Sequence, residues 1–126
     1  METRNHHRTS KARYFDYERL EVYKSALEYL QLEHLVSRAM PRGSAHTRDQ
    51  LDRAADSIVL NIAEGAGRRK GSRDRARYYD IAGGSAKESG AGWDILRIRR
   101  YADEESCSRA RELLLQIVAM LHVMAR

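Results

Sequence analysis

Residues 51–73 read LDRAADSIVLNIAEGAGRRKGSR, and this stretch decides the fold. Its apolar residues recur at i, i+3, i+4 and i+7 between Leu51 and Ala63, the spacing that lines one face of an amphipathic helix and that strand alternation does not fit. A polar row with the same spacing runs along the neighbouring flank, formed by Gln50, Arg53, Ser57, Asn61 and Glu64. The stretch therefore predicts a packed helix that carries an ordered polar ridge.

Glycines and cationic residues come directly after this helix. Gly65 and Gly67 are expected to supply the left-handed or strained backbone that ends helices. The segment that follows holds Arg68, Arg69, Lys70, Arg73, Arg75 and Arg77, against Asp74 as the one acidic residue. Residues 68–77 are called the basic corner below. They concentrate the positive charge of a chain whose formal net charge is +5, which favours a polyanionic partner.

The stretch RAADSIVLNIAEGAGR, residues 53–68, lies between the flanking sequences FDYERLEVYKSALEYL and YYDIAGGSAKES. Together they resemble the bacterial four-helix-bundle proteins encoded in intervening sequences of large-subunit ribosomal RNA genes, over most of residues 15–100. The resemblance implies a four-helix bundle. It makes structural motif positions, without assigning a reaction, of Arg53, Ser57, Asn61, Glu64, Gly65, Gly67 and Glu88. Larger apolar or helix-favouring residues are usual in that family at the positions of Ala86, Ser89, Gly90 and Gly92.

A second, distant similarity concerns fold and charge. The chain is similar in both respects to the accessory variability proteins of diversity-generating retroelements. Those proteins share the bundle and assemble as pentamers around a reverse transcriptase and its RNA. The similarity implies a homopentamer.

Composition limits the class of protein. The chain of 126 residues is long enough to bury a core as one domain. It lacks the run of roughly 18 apolar residues that a membrane span requires, and its N-terminus lacks the apolar core of a signal peptide. We therefore expect a cytoplasmic protein without membrane contact. The single cysteine, Cys107, excludes an internal disulfide and a multi-thiolate metal site.

The helix signals predict an all-α, antiparallel up-down-up-down four-helix bundle over residues 14–126, after a flexible basic arm, residues 1–13. The predicted helices run from about Tyr17 to Met40, from Thr47 to Glu64, from Ser72 to about Tyr101, and from the Asp103–Ser108 connection onward. Their expected N-caps are Asp16, Thr47 or Ser44, Ser72, and Asp103 or Ser106, with Asp49 and Asp74 in first turns. The glycines from Gly83 to Gly92 predict a bend or a closely approaching neighbouring backbone.

In such a bundle, the arm, the loop between helices two and three, and the C-terminus emerge at the same end. A helix start at Ser72 adds free N–H groups to the cations there, which favours phosphate. The predicted nucleic-acid contacts are Arg68, Arg69, Lys70, Ser72, Arg73, Arg75 and Arg77, joined by Lys11 and Arg13 from the arm. Binding of RNA or DNA is expected to depend on backbone and shape rather than on sequence. Trp93, Tyr78, Tyr79 and Tyr101 on the third helix are expected to be core or interface residues. The alternative for Tyr78 and Tyr79, which lie next to cations, is stacking on an unpaired base.

Apolar residues outside the core stripes predict self-association. The first helix has two apolar rows, one through Leu20, Tyr23 and Leu27 and another through Val22, Ala26 and Tyr29. Further surplus residues are Leu60, Leu115, Met120 and Val123. We therefore expect a homo-oligomeric, non-enzymatic scaffold. The alternative is a protein-interaction adaptor, for example a partner of a reverse transcriptase.

Patterns of catalytic or cofactor sites do not fit. A P-loop requires a different order of glycine and lysine after a strand, and ferritin-like bundles require Glu-x-x-His pairs that the chain lacks. Asn61 and Glu64, with Glu88 on the next helix, could form a polar catalytic pocket, but Asn61 and Glu64 are expected instead to hydrogen-bond across helices or to the backbone near the Gly65 turn. A second cationic patch, Arg97, Arg99 and Arg100, is followed by acidic residues and predicts a salt-bridged rim. We expect neither a metal nor a cofactor.

Overall fold

The computed structural model describes residues 13–126. This part of the chain forms four helices and no strand: α1 Glu21–Arg38, α2 Ala45–Ala66, α3 Arg73–Arg99 and α4 Glu104–Met124. Each helix packs against its neighbours in sequence, and α1 also packs against α4. The predicted all-α, four-helix fold is confirmed. The basic arm, including Lys11, lies outside the described residues except for Arg13, which is exposed.

One apolar core joins the four helices. All of them contribute side chains that are almost completely buried, including Val22, Ala26, Ile58, Ile62, Ala82, Leu96, Leu113 and Ile117. At its centre, the Trp93 indole N–H of α3 donates to the Tyr29 hydroxyl of α1, at 2.9 Å. This bond supplies the polar partner that a buried tryptophan needs and connects two helices that do not pack side by side.

α1 begins later than predicted, at Glu21 instead of about Tyr17. The residues before it form hydrogen-bonded turns, in which the Phe15 N–H donates to the Glu18 carboxylate at 2.6 Å. Leu20, not Asp16, occupies the N-cap position, and its side chain makes no capping bond. The turns already satisfy backbone groups that a longer helix would have used, so the prediction of Asp16 as the cap was wrong.

α2 is longer than predicted at both ends. Ser44 holds the N-cap position, but its hydroxyl donates to the Pro41 carbonyl instead of accepting from the helix. Asp49 consequently lies beyond the first turn. At the other end Gly65 is helical and Gly67 has a right-handed backbone, so neither supplies the strained conformation that was expected.

Gly65 has a different role, which is to let two helices approach. A Cβ added there would lie 2.7 Å from Cε1 of Tyr79 on α3. The positive backbone φ angles occur instead at Gly43, in the α1–α2 turn, and at Gly71, just before α3. Close packing of α2 against α3 therefore requires glycine at position 65, and chain reversal uses the other two glycines.

α3 is one uninterrupted helix through its glycine-rich middle. A Cβ added at Gly92 would lie 2.8 Å from Cδ2 of Leu51, so the close neighbour is a side chain of α2 rather than a backbone. The predicted caps Ser72 and Asp103 are confirmed, because each accepts a backbone N–H three residues later. α3 ends at Arg99, before Arg100 with its left-handed backbone.

The surplus apolar residues divide between core and surface. On α1 the row through Val22, Ala26 and Tyr29 is the buried one, whereas Leu27 is exposed. Leu60, Leu115 and Val123 are also exposed, but Met120 is partly buried against the core. Along residues 13–126, no helix has both the length and the apolar character that a membrane crossing requires.

Candidate nucleic-acid interface

One end of the molecule brings distant parts of the sequence together. An open crevice there is lined by Asp16 and Leu20 before α1, by residues 66–69 at and after the end of α2, by Arg75 and Tyr79 of α3, and by Met124 of α4. The segment before α1, the α2–α3 loop and Met124, the last residue of α4, thus meet. The predicted convergence of the arm itself falls outside the described residues. The basic corner forms one side of this crevice.

The backbone at the start of α3 shapes the basic corner. Gly71, with a φ of 78°, allows the chain to turn into the helix. The Ser72 hydroxyl accepts the Arg75 N–H at 3.1 Å, so it is already engaged in capping. The N–H groups of Arg73 and Asp74 have no acceptor within the described chain. Free N–H groups at the positive end of a helix suit an anion.

Arg75 is directed inward and holds the loop. Its Nη2 donates to the Ala66 carbonyl at 2.9 Å and to the Arg68 carbonyl at 2.7 Å, and its Nε donates to the same Arg68 carbonyl at 3.1 Å. The Ala66 carbonyl belongs to the last residue of α2, where a helix leaves acceptors unpaired, and the Arg68 carbonyl belongs to the loop that follows. The structure therefore gives Arg75 a structural role, and its contact with phosphate stays a prediction.

Arg68 is also partly engaged. Its guanidinium lies over the Tyr78 ring, 4.9 Å from the centroid, and donates to the Tyr78 hydroxyl at 3.2 Å. It forms an ion pair with Glu64, one of the motif positions. The carboxylate offsets this positive charge, so Arg68 contributes less to the field of the basic corner than its neighbours do.

Four cations of the basic corner are exposed: Arg69, Lys70, Arg73 and Arg77. Within residues 13–126 none of them forms an ion pair. Asp74 is the one acidic residue among them. Unpaired surface cations retain their charge for an incoming polyanion, which gains affinity by releasing counterions. These four side chains form the centre of the candidate interface.

Exposed aromatic rings in the segment before α1 were missed from the sequence. Phe15 is 67% exposed, and its ring stacks on Tyr17 with 5.5 Å between centroids and 2° between planes. Tyr14 is exposed as well, with the Arg19 guanidinium 4.4 Å from its ring centroid. The run YFDY, residues 14–17, was the available signal, but it was interpreted only as the approach to an N-cap at Asp16.

The two tyrosines that offered base stacking as an alternative are less available. Tyr79 is buried in the core, which confirms its expected core position and contradicts the stacking alternative for it. Tyr78 is half-buried, and its ring lies near Arg68 and Arg77, with the latter 5.9 Å from the centroid. The accessible rings are those of Tyr14 and Phe15, in the segment before α1.

The polar ridge of α2 connects helices. The Ser57 and Ser85 hydroxyls are 2.7 Å apart across α2 and α3, and Asn61 Nδ2 donates to the Ser57 carbonyl at 2.8 Å and to its hydroxyl at 3.1 Å. Arg53 and Glu88 are exposed. Asn61 is thus satisfied one turn earlier on its own helix, rather than across helices or near the Gly65 turn, and no hydrogen bond joins it to Glu88 among the described residues.

The second cationic patch, predicted to be a salt-bridged rim, is only partly salt-bridged. Arg97 forms the predicted ion pair, with Glu104, whereas Arg99 and Arg100 are exposed and have no ion-pair partner in the described part of the chain. No group of three or more His, Cys, Asp or Glu within residues 13–126 is placed to hold a metal ion.

The comparison with protein families gives one match. The family model described as 23S rRNA-intervening sequence protein covers residues 18–123, most of the chain. No curated protein matches the sequence. The distant similarity to accessory variability proteins stays a prediction.

Proposed function

Because the chain belongs to the 23S rRNA-intervening sequence protein family, we propose that it is a non-enzymatic protein that binds nucleic acid through its basic corner. The observation that carries the proposal is the group of four exposed, unpaired cations, Arg69, Lys70, Arg73 and Arg77. The family description refers to ribosomal RNA, so structured RNA is the first ligand to test, and DNA is the second.

The chemistry of the corner suits phosphate groups. Arginine can hold a phosphate with two parallel hydrogen bonds, and the free N–H groups of Arg73 and Asp74 add donors at the positive end of α3. Neither kind of contact reads a base. The binding is therefore expected to depend on charge and backbone shape and to be largely independent of sequence.

The exposed rings of Tyr14 and Phe15 give the site a means to hold an unpaired base. Aromatic rings accept any base on their faces. A strand whose phosphates lie on the basic corner would place bases near these rings, because Asp16 lines the same crevice as Arg69. The site therefore favours RNA with unpaired segments over a continuous duplex.

The arrangement of helices supports the site. We infer that α2 and α3 are antiparallel, as the up-down-up-down order requires, from two contacts: Gly65, late in α2, lies against Tyr79, early in α3, and Leu51, early in α2, lies against Gly92, late in α3. The same order accounts for a crevice lined by both terminal segments and the α2–α3 loop.

We also propose that the protein is a homo-oligomer. The exposed apolar residues Leu60, Leu115 and Val123 support self-association. In a homopentamer, as in the retroelement proteins that the sequence resembles, five basic corners would act together, and avidity would strengthen weak phosphate contacts. Light scattering at micromolar concentration tests this proposal, and a monomer there would contradict it.

A charge-reversal experiment tests the binding proposal. Replacing Arg69, Lys70, Arg73 and Arg77 by glutamate should abolish the electrophoretic shift of structured RNA at low salt while preserving helicity. The control carries the same four-residue change at exposed cations elsewhere, Arg42, Arg53, Arg99 and Arg100. The control should retain the shift. Equal binding by both variants would contradict the proposed location.

The same exposed apolar residues also fit the alternative function, a protein-interaction adaptor such as a reverse transcriptase partner. In that case the purified protein would show no salt-sensitive binding to RNA or DNA. It would instead form a stable complex with the product of a neighbouring gene, and substitution of Leu60 and Leu115 by serine would dissociate it. These two outcomes separate the adaptor from the nucleic-acid binder.

A further inference from the structure

A small cavity lies between α3 and α4, and it shares no residue with the crevice at the basic corner. Its volume is about 190 Å³. The walls are mainly apolar, with Trp93 on α3 and Leu114 and Val118 on α4, and the buried Cys107 also lines it. Protein interiors are usually packed to crystal density, so an apolar opening of this size needs a cause.

The cause is that α3 carries small residues, glycine and alanine, along this cavity. Gly90 lines the cavity, and a Cβ built on it would meet no atom within 4 Å. One turn earlier Ala86 also lines it with only a methyl group. A large side chain at position 90 would project into this open space. The cavity therefore depends on glycine at that position.

The rim of the cavity is cationic. Lys87, Arg97 and Arg111 line it, together with Asp94 as the acidic member. Arg97 is held by Glu104 through two hydrogen bonds, at 3.0 and 2.9 Å. Lys87 and Arg111 form no ion pair with any described residue, so they are free to attract an anion at the mouth.

The volume limits the occupant. An engineered cavity of about 150 Å³ binds benzene, whereas pockets for drug-sized ligands have roughly 300–1,000 Å³. About 190 Å³ therefore accepts one aromatic ring or a short alkyl chain and excludes a nucleotide. We propose that this cavity binds a small amphipathic monoanion, whose apolar body lies against Trp93 and Leu114 and whose anionic head meets Arg111 and Lys87.

The test uses Trp93, the one tryptophan of the chain, as a fluorescent reporter inside the cavity. Titration with octanoate should change its emission in a saturable way, with a Kd in about the millimolar range for a ligand of this size. Octanol, which has the same chain length without the charge, should bind about tenfold more weakly. Absence of a saturable change, or equal binding of octanol and octanoate, would overturn the proposal.

Two variants locate the binding. Gly90→Leu fills the cavity and should abolish octanoate binding, whereas the control Gly84→Leu, at an exposed glycine of α3 with open space around it, should retain it. Arg111→Glu keeps the cavity but reverses one charge of the rim, and it should weaken octanoate and leave octanol unchanged. Octanoate binding by Gly90→Leu equal to that of the wild type would refute the assignment. A different pair of results would also refute it: octanoate does not bind the wild type, and Gly90→Leu loses self-association. The cavity would then be the place where a second copy of the chain packs.

Discussion

Glu33 is a buried carboxyl group inside the bundle, with only 2% of its surface exposed. Burial, followed by the hydrogen bond to Asp52 and the negative charge of Asp52, raises the pKa of Glu33 to about 8. Burial alone would also raise the pKa of Asp52, but hydrogen bonds from Glu33 and Arg38 outweigh it and lower that pKa. Glu33 is therefore mostly neutral at pH 7, beside an ionised Asp52.

This proton makes the stability dependent on pH. The pKa of Glu33 is higher in the folded state than in the unfolded chain, so its contribution is complete below about pH 4.3 and is lost as the pH rises to about 8. In Glu33→Gln the side chain has no proton to lose in this pH range. We expect the free energy of unfolding of the wild type to fall relative to this variant between pH 5 and 8, by at most about 1.4 kcal/mol per pH unit. Urea unfolding at several pH values measures it, and parallel profiles would contradict the buried proton.

A second residue-scale prediction concerns Gly65. Gly65→Ala places a methyl group against the Tyr79 ring, and the resulting shift should lower the free energy of unfolding by about 1–3 kcal/mol. Gly84→Ala, in open space on α3, should instead raise it by up to about 1 kcal/mol through helix propensity. Chemical denaturation compares the two, and a stabilised Gly65→Ala would contradict the close approach.

Substitutions of Arg75 and Arg69 by alanine should have different effects, the first on the stability of the fold and the second on RNA binding. Arg75→Ala removes three hydrogen bonds to the end of α2 and should destabilise the fold by about 1–3 kcal/mol. Arg69→Ala removes an exposed side chain and should leave the unfolding free energy unchanged while weakening RNA binding. Thermal unfolding and an RNA titration of both variants check this division. The opposite pattern would assign the structural role to Arg69.

At the scale of elements, local signals were read correctly where one residue type determines the geometry. Ser72 and Asp103 cap α3 and α4, as their spacing predicted. The start of α1 was missed, because the turns of residues 13–20 depend on Glu18 and on ring stacking rather than on a cap. The role of Gly65 was missed for a similar reason, since its partner Tyr79 comes from another helix. Contacts between elements are not visible in a periodicity.

The turn segment before α1 carries a prediction of its own. Phe15→Ala removes an exposed ring that we expect to stack on an unpaired base, and it should weaken binding of single-stranded RNA by about 1–3 kcal/mol. Binding of duplex DNA, whose bases are already stacked, should stay unchanged. Fluorescence anisotropy with both ligands checks the difference. An equal loss for the two ligands would show that the ring acts on the fold instead.

At the scale of the whole molecule, the fold places the basic corner beside the segment before α1 and Met124. Of the four exposed cations of the corner, Arg69 lines the crevice together with Asp16 and Leu20. The sequence did not show which cations are free. Arg75 donates to backbone carbonyls, and Arg68 contacts Tyr78 and Glu64. These partners are known only from the folded chain.

The salt dependence of RNA binding tests the central claim most directly. For single strands, the logarithm of the binding constant falls with the logarithm of salt concentration by about 0.7 per phosphate neutralised. Replacing Arg69, Lys70, Arg73 and Arg77 by glutamine should therefore reduce the magnitude of this slope by about 3. The account predicts that loss together with unchanged helicity. An unchanged slope would contradict it, because the phosphates would then be held elsewhere on the molecule.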